Sequence, residues 1–263
     1  MHKILNRIIK NKKKELCGLK KITPLGNLIA AAKFIELTGR FKKVIAKPGL
    51  TLIAEIKKKS PRHGILRVDF NPVSIAKTYQ QHGAGALSVL TNDDFAGKLE
   101  HIRQIKAYVH LPILRKDLII DEYQIYESSI AGADAILLIA AILPRRILKK
   151  FLQIAKGLSL DTIVEVHTER DVAKIKGLDY DIVGINNRNL NNFSLDLNVT
   201  KNLLARIEPH KLIVSESGIN THEQINVLRT LKVNAVLIGE AFMQSCDIGQ
   251  KIAELMGTGY GQG

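Results

Sequence analysis

Residues 50–57, LTLIAEIK, form an apolar run of strand character that ends on the charged residues Glu55 and Lys57. Seven similar runs follow along the chain: ALSVLT (86–91), LPILRKD (111–117), AILLIA (135–140), TIVEVH (162–167), IVGINN (182–187), KLIVSES (211–217) and AVLIGEA (235–241). Successive runs begin 20 to 36 residues apart, which leaves room for one strand, one helix and two short connections. The repeat therefore predicts eight β/α units.

The segments between these runs have helical character. Residues 72–83, PVSIAKTYQQHG, carry apolar side chains at helical spacing and end on glycine, and residues 123–133 behave similarly. Further along, Asn220 is the expected N-cap of a helix, with Glu223 three residues on as in a capping box. Apolar strands alternating with amphipathic helices indicate a parallel sheet covered by helices. Eight units favour an α/β fold of the closed (β/α)8 barrel (TIM barrel) type over an open doubly wound sheet, which usually carries a GxGxxG motif after its first strand.

Residues 1–49 lie outside this repeat, and we expect them to form an N-terminal helical extension that packs on the barrel. About 50 residues make a marginal core alone, so the extension is not expected to be a separate domain. The barrel is predicted to occupy residues 50–256, and the glycine-rich residues 257–263 are predicted to be a flexible tail. The whole chain, 1–263, is thus interpreted as one domain.

Half of the net charge of +14 lies in the first 21 residues, which hold eight lysines and arginines against one glutamate. Such a segment can be a nucleic-acid or membrane-binding arm, or the solvated face of a helix. Ile4, Ile8 and Leu16 recur near helical spacing, and no aromatic side chain interleaves with the lysines to stack on bases. We therefore favour a solvated helix face and expect neither a nucleic-acid nor a membrane partner.

The composition argues against several other classes. Cys17 and Cys246 lie far apart without CxxC spacing, so neither a disulfide framework nor a zinc site is indicated. The N-terminus lacks the pattern of a signal peptide, and no apolar segment is long enough to span a bilayer, so a cytoplasmic protein is expected. The eight histidines show no HExxH pattern and no GxSxG motif occurs, so no metal or nucleophile elbow is expected. We interpret His167, just past an inward-facing strand position, as structural.

Polar side chains gather where the predicted strands end, which is where a (β/α)8 barrel builds its active site. Glu55 and Lys57 are two positions apart, so both point to the same side of their strand, assigned to the interior. The ends of later strands add further candidates, namely Lys116, Glu165, Asn186, Glu216 and Ser217. A single buried Lys–Glu pair is often only a structural ion pair. Two lysines and three glutamates converging on one mouth favour a functional site. The fourth run stays apolar and suits a wall against an apolar part of a substrate.

A second pattern indicates phosphate binding. Barrels often hold a phosphate with the loops after strands seven and eight, the places occupied by Ser217–Gly218 and Gly239–Glu240. Glycine lets the main chain approach a ligand closely, although each glycine can equally serve only a tight turn. Arg188, after strand six, can add a charge-assisted contact. Glu240 has to contribute its main-chain N–H, because its carboxylate repels phosphate.

The segments IAEIKKKSP, LSVLT, LPILRKDLIIDEYQI, IVEV, GINNRNL, VSESGI and VLIGEAFM, in this order, resemble the indole-3-glycerol-phosphate synthase family of tryptophan biosynthesis. The resemblance covers residues 49–256, and an N-terminal extension is also a family feature. It implies a lyase that converts a small anionic phosphosugar-anthranilate, 1-(2-carboxyphenylamino)-1-deoxyribulose 5-phosphate, into indole-3-glycerol phosphate, CO2 and water. No cofactor or metal is implied, and such barrels occur as monomers and as weak homodimers.

The resemblance also implies a role for each candidate residue. Lys116 would be the general acid that protonates the ketone oxygen, and Glu165 would transfer a proton during dehydration. Lys57 would contact the substrate carboxylate and share the acid role, with Glu55 orienting the lysines. The residues that would hold the remaining groups are Asn186 and Glu216 for the hydroxyls and the amine, and Ser60, Arg188, Ser217, Gly218, Gly239 and Glu240 for the phosphate. A second lysine in the same mouth is expected to lower the pKa of the acid toward the working pH.

This chain departs from the family pattern at Leu118, where an aromatic residue is usual. The loop after Thr91 is shorter and keeps only Phe95, and Arg62 and His63 stand where small or polar residues are more common. These departures bear on substrate affinity and loop behaviour. Two other functions stay open from the residues: another phosphosugar barrel enzyme (an isomerase, or an aldolase forming a Schiff base on Lys116), and an inactive barrel with a nucleic-acid-binding arm.

Overall fold

The computed structural model of the chain describes residues 3–32, 39–61, 63–189, 192 and 194–257, with side chains from residue 5. Its strands are β1 (Thr51–Ile56), β2 (Lys59–Ser60), β3 (Gly64–Ile65), β4 (Ala86–Leu90), β5 (Ile113–Lys116), β6 (Ala135–Ile139), β7 (Asp161–Val166), β8 (Ile182–Asn186), β9 (Leu212–Glu216) and β10 (Ala235–Ile238). Eight of them are parallel and close into a barrel in the order β1-β10-β9-β8-β7-β6-β5-β4. The predicted (β/α)8 barrel is confirmed. The short strands β2 and β3 pair as a hairpin in the loop after β1.

Helices surround the barrel: within the described residues three precede β1, and the others follow the barrel strands. They are α1 (Lys3–Ile22), α2 (Leu25–Ala32), α3 (Arg40–Ile45), α4 (Pro72–Gln81), α5 (Glu100–Lys106), α6 (Tyr123–Ile130), α7 (Arg145–Gly157), α8 (Glu169–Ile175), α9 (Asn198–Leu204), α10 (His222–Thr230), α11 (Glu240–Met243) and α12 (Ile248–Met256). The helix predicted over residues 72–83 is confirmed as α4. Asn71 caps its first turn, and Gly83, just past its end, has a φ of +82°. No helix of the described chain is long and apolar enough to cross a membrane.

The start of α10 differs from the prediction by one residue. Thr221, not Asn220, is the N-cap, and its hydroxyl accepts a hydrogen bond from the main-chain N–H of Gln224. The side-chain oxygen of Gln224 accepts in return from the main-chain N–H of Thr221 at 3.1 Å. Asparagine and threonine are both good N-caps, so the reciprocal bond with Gln224 selects Thr221. Glu223 therefore lies outside the capping box.

Alternation along the strands separates two layers of apolar packing. In β1, Leu52, Ala54 and Ile56 pack in the cluster that includes the surrounding helices, whereas Ile53 belongs to the cluster that fills the barrel interior. Glu55 is two positions after Ile53 and continues the inward phase. The interior is thus closed by aliphatic side chains below and becomes polar at the carboxyl end of the strands.

The N-terminal helices pack on the barrel. Ile8 and Leu16 of α1 are buried, and most of its basic side chains face solvent. Lys12 does not follow the predicted solvated face, because it is only 1% exposed and its ammonium lies 3.3 Å from Asp117. The side chain of Ile4, the segment 33–38 and residues 258–263 of the predicted flexible tail lie outside the described residues.

Candidate active site

One cavity opens at the carboxyl ends of the barrel strands, and eleven of the twelve predicted site residues line it. They are Glu55, Lys57, Lys116, Glu165, Asn186, Arg188, Glu216, Ser217, Gly218, Gly239 and Glu240. The twelfth, Ser60, does not line the cavity; its buried hydroxyl accepts a hydrogen bond from the main-chain N–H of His63 at 3.0 Å. Lys57 and Lys116 therefore share one cavity, which was the central geometric expectation from the sequence.

Lys116 is the charged group at the centre of this cavity. It is the last residue of β5, and its ammonium lies 3.1 Å from Glu165 Oε2 and 3.0 Å from Glu216 Oε2. The lysine side chain is 15% exposed, against 3% and 1% for the two carboxylates. Lys57 forms a separate pair, with its ammonium 2.7 Å from Glu55 Oε1. Lys116 is thus held between two carboxylates, and Lys57 is held by a third one.

The pKa of Lys116 is shifted in the direction opposite to the prediction. Burial alone would lower the pKa of this ammonium, but the charges of Glu165, Glu216 and Glu55 outweigh burial and raise it above its ordinary value. Carboxylates, not the second lysine, dominate the surroundings of Lys116. The group is therefore protonated near neutral pH, as a proton donor has to be at the start of a reaction.

The two carboxylates that contact Lys116 have pKa values pushed apart. Burial raises the pKa of Glu216 to about 7; Lys116 opposes the shift, and the neighbouring Glu165 charge adds to it. Burial acts in the same direction on Glu165, but there Lys116 and His167 prevail and hold the pKa below its usual range. Near neutral pH, Glu165 is ionised and Glu216 exchanges a proton. Pairs of carboxyls separated in this way are typical of acid–base sites.

Two glycines, Gly184 in β8 and Gly239 just after β10, leave room for the carboxylates of Glu216 and Glu55. A methyl group at Gly184 of β8 would collide with Glu216 Oε1 and approach Ile163 Cγ2 to 2.8 Å. A methyl group at Gly239 would lie 2.5 Å from Glu55 Oε1 and 2.7 Å from Glu55 Cβ. Gly239 was predicted as part of the phosphate site, and it also has this steric role. The side chains of Glu216 and Glu55 thus occupy space that a Cβ on these neighbours would take.

Gly184→Ala is expected to lower kcat about tenfold, because the added methyl pushes Glu216 away from its 3.0 Å contact with Lys116. The measurement is steady-state turnover together with the thermal midpoint. Gly157→Ala is the matched control: no atom lies within 4 Å of a Cβ there, and alanine is the better helix former. Equal turnover in the two variants would show that Glu216 tolerates displacement.

The far side of the cavity carries the predicted phosphate residues. Ser217 and Gly218 have φ values of +69° and +79°, so the chain turns sharply where β9 ends. Arg188 Nη2 lies 3.6 Å from Glu240 Oε2, and Glu240 Oε1 lies 3.1 Å from His63 Nε2. Glu240 thus links the loop after β1 to the residues after β8. The sequence analysis expected only the main-chain N–H of Glu240 to contribute at this side of the cavity, but its carboxylate is also present there and pairs with Arg188 and His63.

Asp117, next to Lys116, is the centre of a buried network that the sequence did not reveal. Its carboxylate accepts hydrogen bonds from Thr91, Asn92, Arg115 and Lys12 at 2.8 to 3.3 Å. Burial alone would raise the pKa of Asp117, but Arg115 and Lys12 outweigh it and lower that pKa. We call these five residues the Asp117 network. It ties α1 of the N-terminal extension to the end of the strand that carries Lys116.

His167, which the sequence analysis interpreted as structural, contacts one of the cavity carboxylates. Its Nε2 lies 2.8 Å from Glu165 Oε1, its Nδ1 lies 3.0 Å from the main-chain oxygen of Arg188, and its side chain is 5% exposed. The sequence could have predicted this contact, because His167 is two residues after Glu165, as Lys57 is two residues after Glu55. Residues two apart on a strand point to the same side.

An apolar wall completes the cavity. Leu137 and Ile139 of the apolar strand β6 line it, as the sequence predicted. Leu118, Phe95 and Leu237 also line it, so the departure at Leu118 falls in the cavity itself. An aliphatic wall opposite charged groups fits a ligand with an apolar ring and ionic substituents.

The fold and the cavity define an acid–base enzyme built on a (β/α)8 barrel. Residues 5–255 match the family model described as indole-3-glycerol phosphate synthase. The protein of that name from Thermoanaerobacter pseudethanolicus is 45% identical over 261 residues, covering 99% of this chain and 100% of the relative. Its counterpart in Clostridium acetobutylicum is 44% identical over 255 residues, covering 96% and 97%.

The chain therefore belongs to the indole-3-glycerol phosphate synthase family, an enzyme family of tryptophan biosynthesis. This confirms the resemblance identified in the sequence and makes the protein a carboxy-lyase acting on a phosphosugar substrate.

Solved structures of other proteins share the fold. The structure of 3-hexulose-6-phosphate synthase from Salmonella typhimurium has a TM-score of 0.59 at 12% identity, covering 78% of this chain and 96% of that one. The tryptophan synthase complex from Pyrococcus furiosus gives 0.59 at 13% identity, covering 79% and 98%.

Proposed function

We propose that this enzyme closes the indole ring by acid–base chemistry centred on Lys116 and Glu165. Lys116 donates a proton to the ketone oxygen of 1-(2-carboxyphenylamino)-1-deoxyribulose 5-phosphate while the aryl carbon bonds to the carbonyl carbon. CO2 then leaves, and the electron pair of the broken bond restores the aromatic ring. In the last step the hydroxyl leaves as water with a proton from Lys57, which shares the acid role, and Glu165 takes the proton released by the adjacent carbon. The observation that carries the proposal is the Lys116 ammonium, held within 3.1 Å of two buried carboxylates of unequal pKa.

The remaining cavity residues suit the other groups of this substrate. Lys57, whose ammonium is paired with Glu55, is assigned to the aryl carboxylate. Glu216 Oε1 is buried and has no hydrogen-bond partner within the described part of the chain, so it is available to the substrate amine. Asn186 is assigned to a hydroxyl. The phosphate is assigned to Arg188, Ser217, Gly218, Gly239 and the main chain of Glu240, with Ser60 shaping the adjacent loop.

The proposal extends to the setting in which the enzyme acts. The substrate is small and anionic, and the enzyme assists the reaction only by transferring protons. Both features fit a cytoplasmic enzyme with neither a nucleic-acid nor a membrane partner. We propose that residues 1–263 form one domain and act as a monomer or a weak homodimer. Light scattering across a hundredfold dilution series tests the assembly, since a weak dimer dissociates over that range and an obligate dimer does not.

Glu165→Gln is expected to slow formation of indole-3-glycerol phosphate by about 10²-fold, because general acid–base groups contribute at least this factor. Ring closure and CO2 release precede the proposed role of Glu165, so a decarboxylated species heavier than the product by one water is expected to accumulate. Quenched reactions analysed by mass spectrometry, followed beside indole fluorescence, detect it.

Glu169→Gln is the matched control for that variant, because Glu169 is an exposed carboxylate on the neighbouring helix α8. Its turnover is expected to equal that of the wild type. If Glu165→Gln slows CO2 release as much as indole formation and no intermediate appears, Glu165 acts before dehydration and the assignment is wrong.

A further inference from the structure

His167 forms two hydrogen bonds whose chemistry fixes its protons. The main-chain oxygen of Arg188 can only accept, so Nδ1, 3.0 Å away, must carry a hydrogen. Nε2 faces Glu165 Oε1 at 2.8 Å, and two lone pairs cannot oppose each other at that distance. One proton therefore lies between the imidazole and the carboxylate. The resting pair is an imidazolium next to a carboxylate, with no net charge.

The charged surroundings favour this state. Burial alone would lower the pKa of His167, but the hydrogen bond and charge of Glu165, the Arg188 carbonyl and the charge of Asp171 together raise it. Asp171 also accepts a hydrogen bond from the main-chain N–H of His167 at 3.1 Å, which holds the residue against α8. The groups that face the imidazole from β7, α8 and the loop after β8 are thus Glu165, Asp171 and the main chain of Arg188.

The two oxygens of Glu165 consequently have different neighbours. Oε1 is occupied by His167, and Oε2 lies 3.1 Å from the Lys116 ammonium. We propose that His167 is a positioning residue for the reaction: it holds Glu165 Oε1 in place, so that Oε2 alone exchanges protons with Lys116 and the substrate. This inference rests on the proposed role of Glu165 and adds the group through which that role is controlled.

The arrangement also orders the proton transfers. A second proton on Glu165 would give the His167–Glu165 pair a positive charge beside the Lys116 ammonium, which like-charge repulsion disfavours. The repulsion disappears once Lys116 has given its proton to the substrate. Glu165 therefore becomes a competent base only after Lys116 has acted as an acid. The hydrogen bond to the Arg188 carbonyl further connects this pair to the strand end assigned to the phosphate.

Two substitutions separate the two hydrogen bonds of the imidazole. In His167→Asn the amide can replace Nδ1 and keep the bond to Arg188, but it does not reach Glu165. In His167→Gln the amide can replace Nε2 as a neutral donor to Glu165. We expect His167→Asn to lower kcat about tenfold with KM within twofold of the wild type, and His167→Gln to retain more activity.

The pH profile gives a readout that a purely structural role would not move. Because His167 lowers the pKa of Glu165, its loss raises that pKa, and the limb on which kcat rises with pH moves to higher pH in His167→Asn. Unchanged kcat and an unshifted limb in His167→Asn would overturn the inference. The thermal midpoint of each variant shows whether a loss of activity is due to misfolding. If His167→Asn is misfolded, the activity and pH profile of His167→Gln are compared with those of the wild type instead.

A double-mutant cycle distinguishes this inference from the proposal beneath it. If His167 acts through Glu165, adding His167→Asn to Glu165→Gln lowers kcat no further. A further tenfold loss in the double variant would mean that His167 acts elsewhere, and the inference fails. If Glu165→Gln itself retains wild-type turnover, the proposed role of Glu165 fails, whatever the His167 variants show.

Discussion

Lys116→Met is expected to lower kcat by 10²- to 10⁴-fold, the range that a positioned general acid contributes. The ketone oxygen then loses its proton donor, and orientation of the substrate by the rest of the cavity supplies the residual rate. The measurement is indole formation under saturating substrate. Lys149→Met, which removes an exposed lysine on α7, is the matched control and is expected to leave kcat unchanged.

The same substitution has a consequence for stability that depends on pH. Without the ammonium, Glu216 has lost its cation and Glu165 keeps only His167, so the carboxyl of Glu216, whose pKa is already about 7, binds a proton more tightly. A carboxyl whose folded pKa is raised adds stability below its unfolded pKa and loses it as pH rises through the folded value. Lys116→Met is therefore expected to be less stable at pH 8 than at pH 6.

The assignment of the general acid is tested by comparing the two lysines. A loss of kcat larger in Lys57→Met than in Lys116→Met would reassign the acid to Lys57.

Asp117→Asn is expected to lower the free energy of unfolding by about 3–5 kcal/mol, the usual effect of removing one partner of a buried ion pair. The substitution leaves the guanidinium of Arg115 and the ammonium of Lys12 facing a neutral amide in the interior. Urea unfolding at pH 7 measures the change. Lys12→Met is expected to lower the free energy of unfolding by less, because Arg115 still neutralises Asp117 and only the contact from the N-terminal helix is lost.

The pH dependence of this effect follows from the lowered pKa of Asp117. Its contribution to stability is complete above the unfolded pKa of about 3.9 and is lost as pH falls through the lower folded value. The difference between the wild type and Asp117→Asn is thus expected to stay constant from pH 5 to pH 8. Asp179→Asn is the control, since Asp179 and its partner Lys156 are both exposed. An equal loss in the two variants would show that the Asp117 network adds nothing to stability.

Much of the site was predictable because strand geometry is local. Side chains alternate with a period of two, so an inward apolar residue such as Ile53 places Glu55 inside as well. The same rule, applied from Glu165, puts His167 on the inward side as well, although the sequence analysis placed it just past an inward-facing position and interpreted it as structural. The need for glycine at position 184 could not be predicted from the sequence, because it arises from the side chain of Glu216 on a neighbouring strand.

The direction of the Lys116 pKa shift was predicted wrongly for a related reason. The sequence placed two lysines and three glutamates in one cavity, and the lysines were expected to lower each other's pKa. In the folded chain, Lys116 contacts Glu165 and Glu216, whereas Lys57 is paired with Glu55. Which charge dominates depends on distances of a few ångström, and composition does not contain them.

The amino-acid sequence by itself determined the eight β/α units, the inward phase of each strand and the set of polar groups that meet at the barrel mouth. These features depend on hydrogen bonding and burial within short segments, which residue type and spacing control. Only the tertiary structure decided the partners: Lys116 with Glu216, 100 residues away, and Lys12 with Asp117, 105 residues away. Charges and protons respond to separation in space and to exclusion of water, and both exist only once the barrel has closed.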